Sequence, residues 1–191
     1  MRGFGVTEAL APAVPEAAIP LLVLLTAFGG PKLIAIVSIV GSSTGVWTER
    51  VELPRARRFL VGIGLVLSAS IFLKHGLAMP RPPAALMAIP EDGFGFPSGH
   101  ATAAAGLATA ILRSSTRVER WQYGLGIGYV SLIAATRVLL GVHYLVDVLA
   151  GVGVGIFVAA GGIRAARSRQ LVAEIVTVLF AAAALTVWLL A

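Results

Sequence analysis

Residues 144–163 read YLVDVLAGVGVGIFVAAGGI and hold a single charged side chain, Asp147. A helix of that length, at about 1.5 Å per residue, reaches about 30 Å, the thickness of a bilayer's hydrocarbon core. The stretch is rich in Gly and Ala, and the chain as a whole carries 22 Gly. Small residues of this kind let membrane helices approach closely. The surrounding sequence keeps the same character. Of 191 residues, 58% are hydrophobic and 13% charged, and the mean hydropathy is +0.91. A soluble domain carries about a quarter of its residues as Asp, Glu, Lys and Arg. One soluble core could not hide so much apolar surface, so the surface itself must face something apolar. The expectation is an all-α integral membrane protein of one domain. Cysteine is absent, which excludes disulfides, thiolate metal sites and cysteine nucleophiles.

Working outward, five further stretches read as spans, at 31–47, 58–79, 98–112, 121–139 and 171–190; the third is short. Ahead of them, residues 17–28 are apolar but would reach only about 18 Å, and they stop at the breaker Gly29-Gly30-Pro31. We therefore read 14–28 as an interfacial or re-entrant helix; as a seventh span it would put the termini on opposite sides. The predicted architecture is a six-helix membrane bundle with a short N-terminal interfacial helix. Residues 1–13 lack the long apolar run and cleavage site of a signal peptide.

The net charge of +6 could suggest nucleic acid, but position decides otherwise. Arg50, Arg55, Arg57 and Arg58, then Arg113, Arg117 and Arg120, then Arg164, Arg167 and Arg169 fall in alternate loops. With six spans all ten lie on one side, which the positive-inside rule makes cytoplasmic. The loops 80–97 and 140–143 and both termini are then expected outside, in a multi-pass cell-membrane protein. No nucleic-acid partner is expected, and no signature of an oligomeric state is present.

The polar residues left over do not serve orientation. Lys74, Arg81, His100, Arg137, His143 and Asp147 all fall at outer span ends or in the outer loop, and ionisable groups at a bilayer's edge usually mark function. Ser98 precedes a helix as a natural N-cap, where free N–H groups make an anion site. His143 and Asp147, four apart, share a helix face; a carboxylate there can fix the imidazole tautomer and leave the other nitrogen nucleophilic. Each residue alone has an ordinary reading: Lys74 as a snorkelling lysine, Arg81 as a loop cation, Ser98 as a plain cap, Arg137 as a span anchor paired with Asp147. His75 has no evident partner, and Glu91 and Asp92 read as solvated loop residues. Together, two histidines, a carboxylate, three cations and a helix N-terminus suit phosphoryl transfer. No carboxylate cluster for Mg²⁺ accompanies them.

The order and spacing of these residues is similar to a family signature. Lys74, six residues, Arg81-Pro82; then Pro97-Ser98-Gly99-His100; then Arg137, five residues, His143, three residues and Asp147: this resembles the type 2 phosphatidic acid phosphatase superfamily over 74–147. One departure is Thr136, where the family usually has Ser; a hydroxyl is kept. The resemblance implies a six-helix membrane fold with a short preceding helix, and residues 1–191 as a single membrane phosphatase domain. It implies His143 as nucleophile, Asp147 as its support and His100 as acid and then base. Lys74, Arg81, Ser98, Gly99 and Arg137 would hold the phosphoryl oxygens, with no metal or other cofactor. Since His100 and His143 begin spans, the chemistry would lie at the outer headgroup level, reached by a membrane lipid phosphate within the bilayer. Isoprenyl diphosphate is favoured slightly over phosphatidic-acid-like or phosphatidylglycerophosphate-like substrates. The alternatives are a phosphatase of water-soluble esters and a non-catalytic lipid-phosphate transporter or binder.

Overall fold

Prolines open three of the helices. Pro20, Pro31 and Pro54 each stand in a first turn, where the missing N–H would have no partner and the fixed φ suits a helix. In the computed structural model, which describes residues 4–168, α1 spans Val6–Leu10, α2 Ile19–Ala27, α3 Pro31–Trp47 and α4 Leu53–Leu77. They are followed by α5 Gly99–Ser114, α6 Arg120–Leu139 and α7 Leu145–Ser168. Single 3₁₀ turns lie at Ala11–Ala13, Glu16–Ala18 and Ala84–Leu86, and no strand occurs among the described residues. At the start of α6 a capping box closes the free ends: Gln122 accepts the Glu119 N–H at 2.8 Å, and the Glu119 side chain accepts a backbone N–H in return.

The all-helical expectation holds, and α3 to α7 stand on the first five expected spans. The sixth, at 171–190, lies outside the described residues. Among the described residues two helices, α4 and α7, are long and apolar enough to cross a membrane. Val6–Ala13 with Glu16–Ala27 would make a third if these two pieces, bent by 92°, form one broken span; α3 is apolar but shorter. The helix expected at 14–28 is a 3₁₀ turn followed by α2, and α1 precedes it unforeseen. With only five residues, VTEAL, α1 is too short to show a hydrophobic period.

Packing centres on α5, which lies against α7, α4 and α6. Its sequence GHATAAAGLATAILRS explains why. Ala101, Ala103, Ala104, Ala105 and Ala110 are all buried, and a Cβ at Gly106 would come within 2.5 Å of Val66 Cγ1 on α4. On α7, a Cβ at Gly151 would lie 2.7 Å from the Ser98 carbonyl, and one at Gly155 would lie 2.8 Å from the Gly106 nitrogen. Small faces against small faces bring these backbones together. The large apolar side chains point the other way: Ile36, Ile39 and Val40 of α3, Leu125 and Ile127 of α6, and Phe157 of α7 are exposed. That is the dress of helices whose outer solvent is lipid.

Each of α4 to α7 has arginine at one end and a residue of the expected site at or near the other. The pairs are Arg55, Arg57 and Arg58 against Lys74 on α4, and Arg113 against His100 on α5. They continue with Arg120 against Arg137 on α6, and Arg164 against Asp147 on α7.

Candidate active site

The α6–α7 turn sets the first residue in place. Gly141, at φ 70°, makes the reversal, and a Cβ there would collide with the Leu86 carbonyl. His143 follows, buried, with its carbonyl accepting the Thr7 hydroxyl at 3.1 Å. Arg81 Nη1 lies 3.2 Å from His143 Nε2. A guanidinium has only protons to offer, so Nε2 must accept, and the ring proton resides on Nδ1. That nitrogen faces Asp147 Oδ2 at 3.7 Å, a carboxylate held by the Tyr144 N–H at 3.0 Å. Burial, then the charges of Arg137, Arg81 and Lys74, holds the His143 imidazole well below its ordinary range. It is therefore neutral at physiological pH, with a lone pair on Nε2.

Ser98 stands at the N-cap of α5 as expected, but its side chain makes no capping bond. The residue is fully buried and Oγ has no hydrogen-bond partner. Instead the backbone ties the helix down: the Ser98 N–H donates to the Asp147 carbonyl at 2.9 Å, and the Ser98 carbonyl accepts the Thr102 hydroxyl at 2.8 Å. A spare hydroxyl thus sits beside the free first-turn N–H groups of Gly99 and His100. Gly99 leaves room for Lys74, whose Cε would be 3.5 Å from a Cβ there. His100 reaches toward the α2–α3 turn, its Nε2 being 3.9 Å from the Cβ position of Gly30, and it feels the charges of Arg137, Glu91, His143 and Lys74.

The three cations converge on the same place, and each is engaged. Lys74 Nζ donates to the Phe94 carbonyl at 2.6 Å. Arg81 donates from Nη1 to the Val142 carbonyl at 3.0 Å and from Nε to the Asp92 carbonyl at 3.1 Å. Arg137 is fully buried; its Nη1 donates to Thr26 Oγ1 at 3.1 Å and its Nη2 to Glu91. All eight residues expected at the site, Lys74, Arg81, Ser98, Gly99, His100, Arg137, His143 and Asp147, are thereby brought to one end of the bundle.

Two expectations need correction, those for Glu91 and His75. Glu91 is no solvated loop residue: Oε2 pairs with Arg81 Nη1 at 2.9 Å and Oε1 with Arg137. Burial pushes its carboxyl upward, but Arg137 and Arg81 outweigh that and hold it below the usual carboxylate range. His75 has a partner, the ring of Phe94, edge to face at 5.6 Å between centroids. Thr136 keeps its hydroxyl to its own helix, donating to the Ile133 carbonyl at 2.6 Å, as buried Thr often does in apolar helices. Thr7 and Thr26 were missed altogether. A threonine in the apolar run LLVLLTAF is the signal that could have flagged Thr26. For Glu91 the signal was charge: three cations on one face call for a carboxylate. Among the described residues no three His, Asp or Glu side chains come together as metal ligands.

A family model described as the PAP2 superfamily matches residues 55–171. An undecaprenyl-diphosphatase of Sulfolobus acidocaldarius is 33% identical over 102 residues, a match covering 48% of this chain and 48% of that protein. The chain thus spans about half the length of this curated relative. Two solved structures share the fold. Aquifex aeolicus LpxE superposes with a TM-score of 0.68 at 20% identity, covering 83% of this chain and 92% of that one. A transmembrane PAP2 type phosphatidylglycerolphosphate phosphatase from Bacillus subtilis gives 0.73 at 19% identity, covering 86% and 84%. At such identities the likeness is one of fold.

Proposed function

The chain belongs to the PAP2 superfamily, and from that premise we propose that it is a membrane lipid phosphatase. It removes a phosphate monoester or diphosphate group, isoprenyl diphosphate being the favoured substrate, through a phosphohistidine on His143 and without a metal. The observation that carries this reading is the state of His143. Its Nε2 lone pair faces Arg81 at 3.2 Å while Nδ1 faces Asp147 at 3.7 Å, the arrangement of a neutral nucleophile aimed at a cation-bound phosphoryl group.

The steps follow from the residues. Nε2 of His143 attacks phosphorus as the bond to the leaving oxygen breaks, and His100 gives that oxygen its proton. His100 then takes a proton from water, whose oxygen attacks phosphorus, releasing phosphate and restoring His143. Lys74, Arg81, Arg137, the Ser98 hydroxyl and the first-turn N–H groups, Gly99 among them, neutralise the phosphoryl oxygens throughout. Their charge serves in place of a divalent ion. An isoprenyl tail is supported by the diphosphatase name of the Sulfolobus acidocaldarius relative. The arginines at the opposite ends of α4 to α7 favour an extracytoplasmic site.

The test is phosphate release by the purified chain in detergent with EDTA, from isoprenyl diphosphate, phosphatidic acid, phosphatidylglycerophosphate and water-soluble esters side by side. We expect turnover of lipid phosphates, fastest for the diphosphate. His143→Ala should lose about 10³-fold or more in kcat, with none of the alkali-stable, acid-labile phosphoenzyme that wild type forms. Release from soluble esters alone would replace the lipid reading, and loss of activity in EDTA would overturn the metal-free one. Lipid binding without release from any substrate would make the protein a binder.

A further inference from the structure

The loop that follows α4 does something the phosphatase reading leaves unexplained. Its segment 91–94 satisfies all three cations of the site at once. Glu91 spans Arg81 and Arg137, the Asp92 carbonyl takes Arg81 Nε, and the Phe94 carbonyl takes Lys74 Nζ. Three oxygen-bearing groups around three cations reproduce the bonding a phosphoryl group would ask for. The carboxylate is also adjacent to the reacting nitrogen, because the Arg81 Nη1 that pairs with Glu91 also meets His143 Nε2.

Resting on the reading of Lys74, Arg81 and Arg137 as phosphoryl ligands, we propose that segment 91–94 is a built-in stand-in for phosphate, displaced by substrate, and that Glu91 makes the site selective for phosphoryl groups of higher charge. The segment is built to move as a unit. It is tethered on one side by the Ala88 N–H on the Leu140 carbonyl at 3.0 Å, and on the other by the Gly95 N–H on the Met79 carbonyl at 2.7 Å. Gly95 sits so close that a Cβ there would lie 2.9 Å from the Pro80 carbonyl. Between those fixed points Gly93 stands at φ 76°, in the left-handed region that favours glycine.

The selectivity follows from charge. To enter, a ligand must replace one carboxylate and two carbonyls on the same cations. A monoester or diphosphate brings two or more negative charges on several free oxygens and can do so. A phosphodiester brings one, shared over two oxygens, and offers no more to the two guanidiniums than Glu91 already does. Phosphodiester headgroups crowd the interface where a lipid phosphatase works, so a carboxylate in the site keeps it from filling with them.

Two measurements on the full chain in detergent test this. In the first, binding of inorganic phosphate is compared between wild type, Glu91→Gln and Glu91→Ala. Removing the competing charge should tighten binding roughly tenfold. Unchanged or weaker binding in both variants would mean that Glu91 only positions the arginines. In the second, phosphatidylglycerol, a phosphodiester, is titrated into mixed micelles during hydrolysis. Wild type should be indifferent and Glu91→Gln inhibited; equal response in the two would overturn the selectivity. Absence of phosphate binding in every form while lipid phosphate is still hydrolysed would overturn the stand-in and leave the phosphatase reading intact. Absence of both binding and hydrolysis would overturn the phosphatase reading, and the stand-in with it.

Discussion

A guanidinium that is fully buried in a membrane protein must have its donors answered, since an unanswered one forfeits its solvation. Arg137 does so for Nη1 and Nη2 with two residues far away in sequence, Thr26 at a separation of 111 and Glu91 at 46, while its buried Nε has no hydrogen-bond partner. Thr26 matters most where Glu91 has been displaced, for then it is the remaining side-chain partner holding the Arg137 fork toward the phosphoryl site. It is a positioning residue, being bonded to the arginine and not to the reacting atoms. Thr26→Val keeps the shape and removes the acceptor. The cost in stability is expected at about 1–3 kcal/mol, the penalty for a buried donor left unpaired. A structural defect alone would stop there. Misplacement of Arg137 should in addition lower kcat/KM for lipid phosphate several-fold at a temperature where the variant is folded, and Thr26→Ser should restore it. Normal kcat/KM in Thr26→Val would show that Glu91 and the helix suffice to aim Arg137.

At the scale of elements, the distance between α5 and α7 decides whether the two halves of the site meet. Ser98 and His100 start one helix, His143 and Asp147 adjoin the start of the other, and glycines at 151 and 155 set the separation. A Cβ at 155 would collide with the Thr102 carbonyl and lie 2.9 Å from Ala105 Cβ, so Gly155→Ala must push the helices apart or strain them. Overpacking of this kind costs about 1–3 kcal/mol. Gly155→Ala should lower the Tm and reduce turnover, whereas Gly153→Ala, where a Cβ meets nothing within 4 Å, should do neither. Equal effects at both positions would mean that helix propensity, and not the interface, governs the outcome. Much of this element structure is legible from sequence because breakers and apolar runs act locally: Gly-Gly-Pro starts α3 where expected. Boundaries fail where charge misleads. Arg55 and Arg57 read as loop, yet α4 takes them into its first turns and begins at Leu53, because a long arginine can leave the membrane while its backbone stays helical. Motif spacing shows the cations and histidines as a group. What it cannot show is the partner that arrives through folding: Glu91 and Thr26 lie outside the motif, and only a carboxylate owed to three cations and a threonine in an apolar run hinted at them.

The molecule as a whole is polar at two ends for different reasons. At one end of α4 to α7 stand arginines; at the other stand the histidines, Asp147 and the loop that carries Glu91. Retention of cationic loops in the cytoplasm would therefore leave the site on the opposite face, where phosphate is released outside the cell's cytosolic pool. The chain lends itself to a direct check, because it contains no native cysteine and any single cysteine introduced is a unique label. Two exposed positions mark the two ends: Ala85 in the loop carrying Glu91, and Thr116 between α5 and α6. Neither contributes a side chain to the site. In intact cells, a maleimide that cannot cross the membrane should label Ala85→Cys fully and Thr116→Cys only after permeabilisation. The reverse pattern would place the site in the cytoplasm and make the arginine bias an exception to the rule. Labelling of both in intact cells would mean that the chain inserts in two orientations, and the phosphatase assay would then have to be repeated from each side.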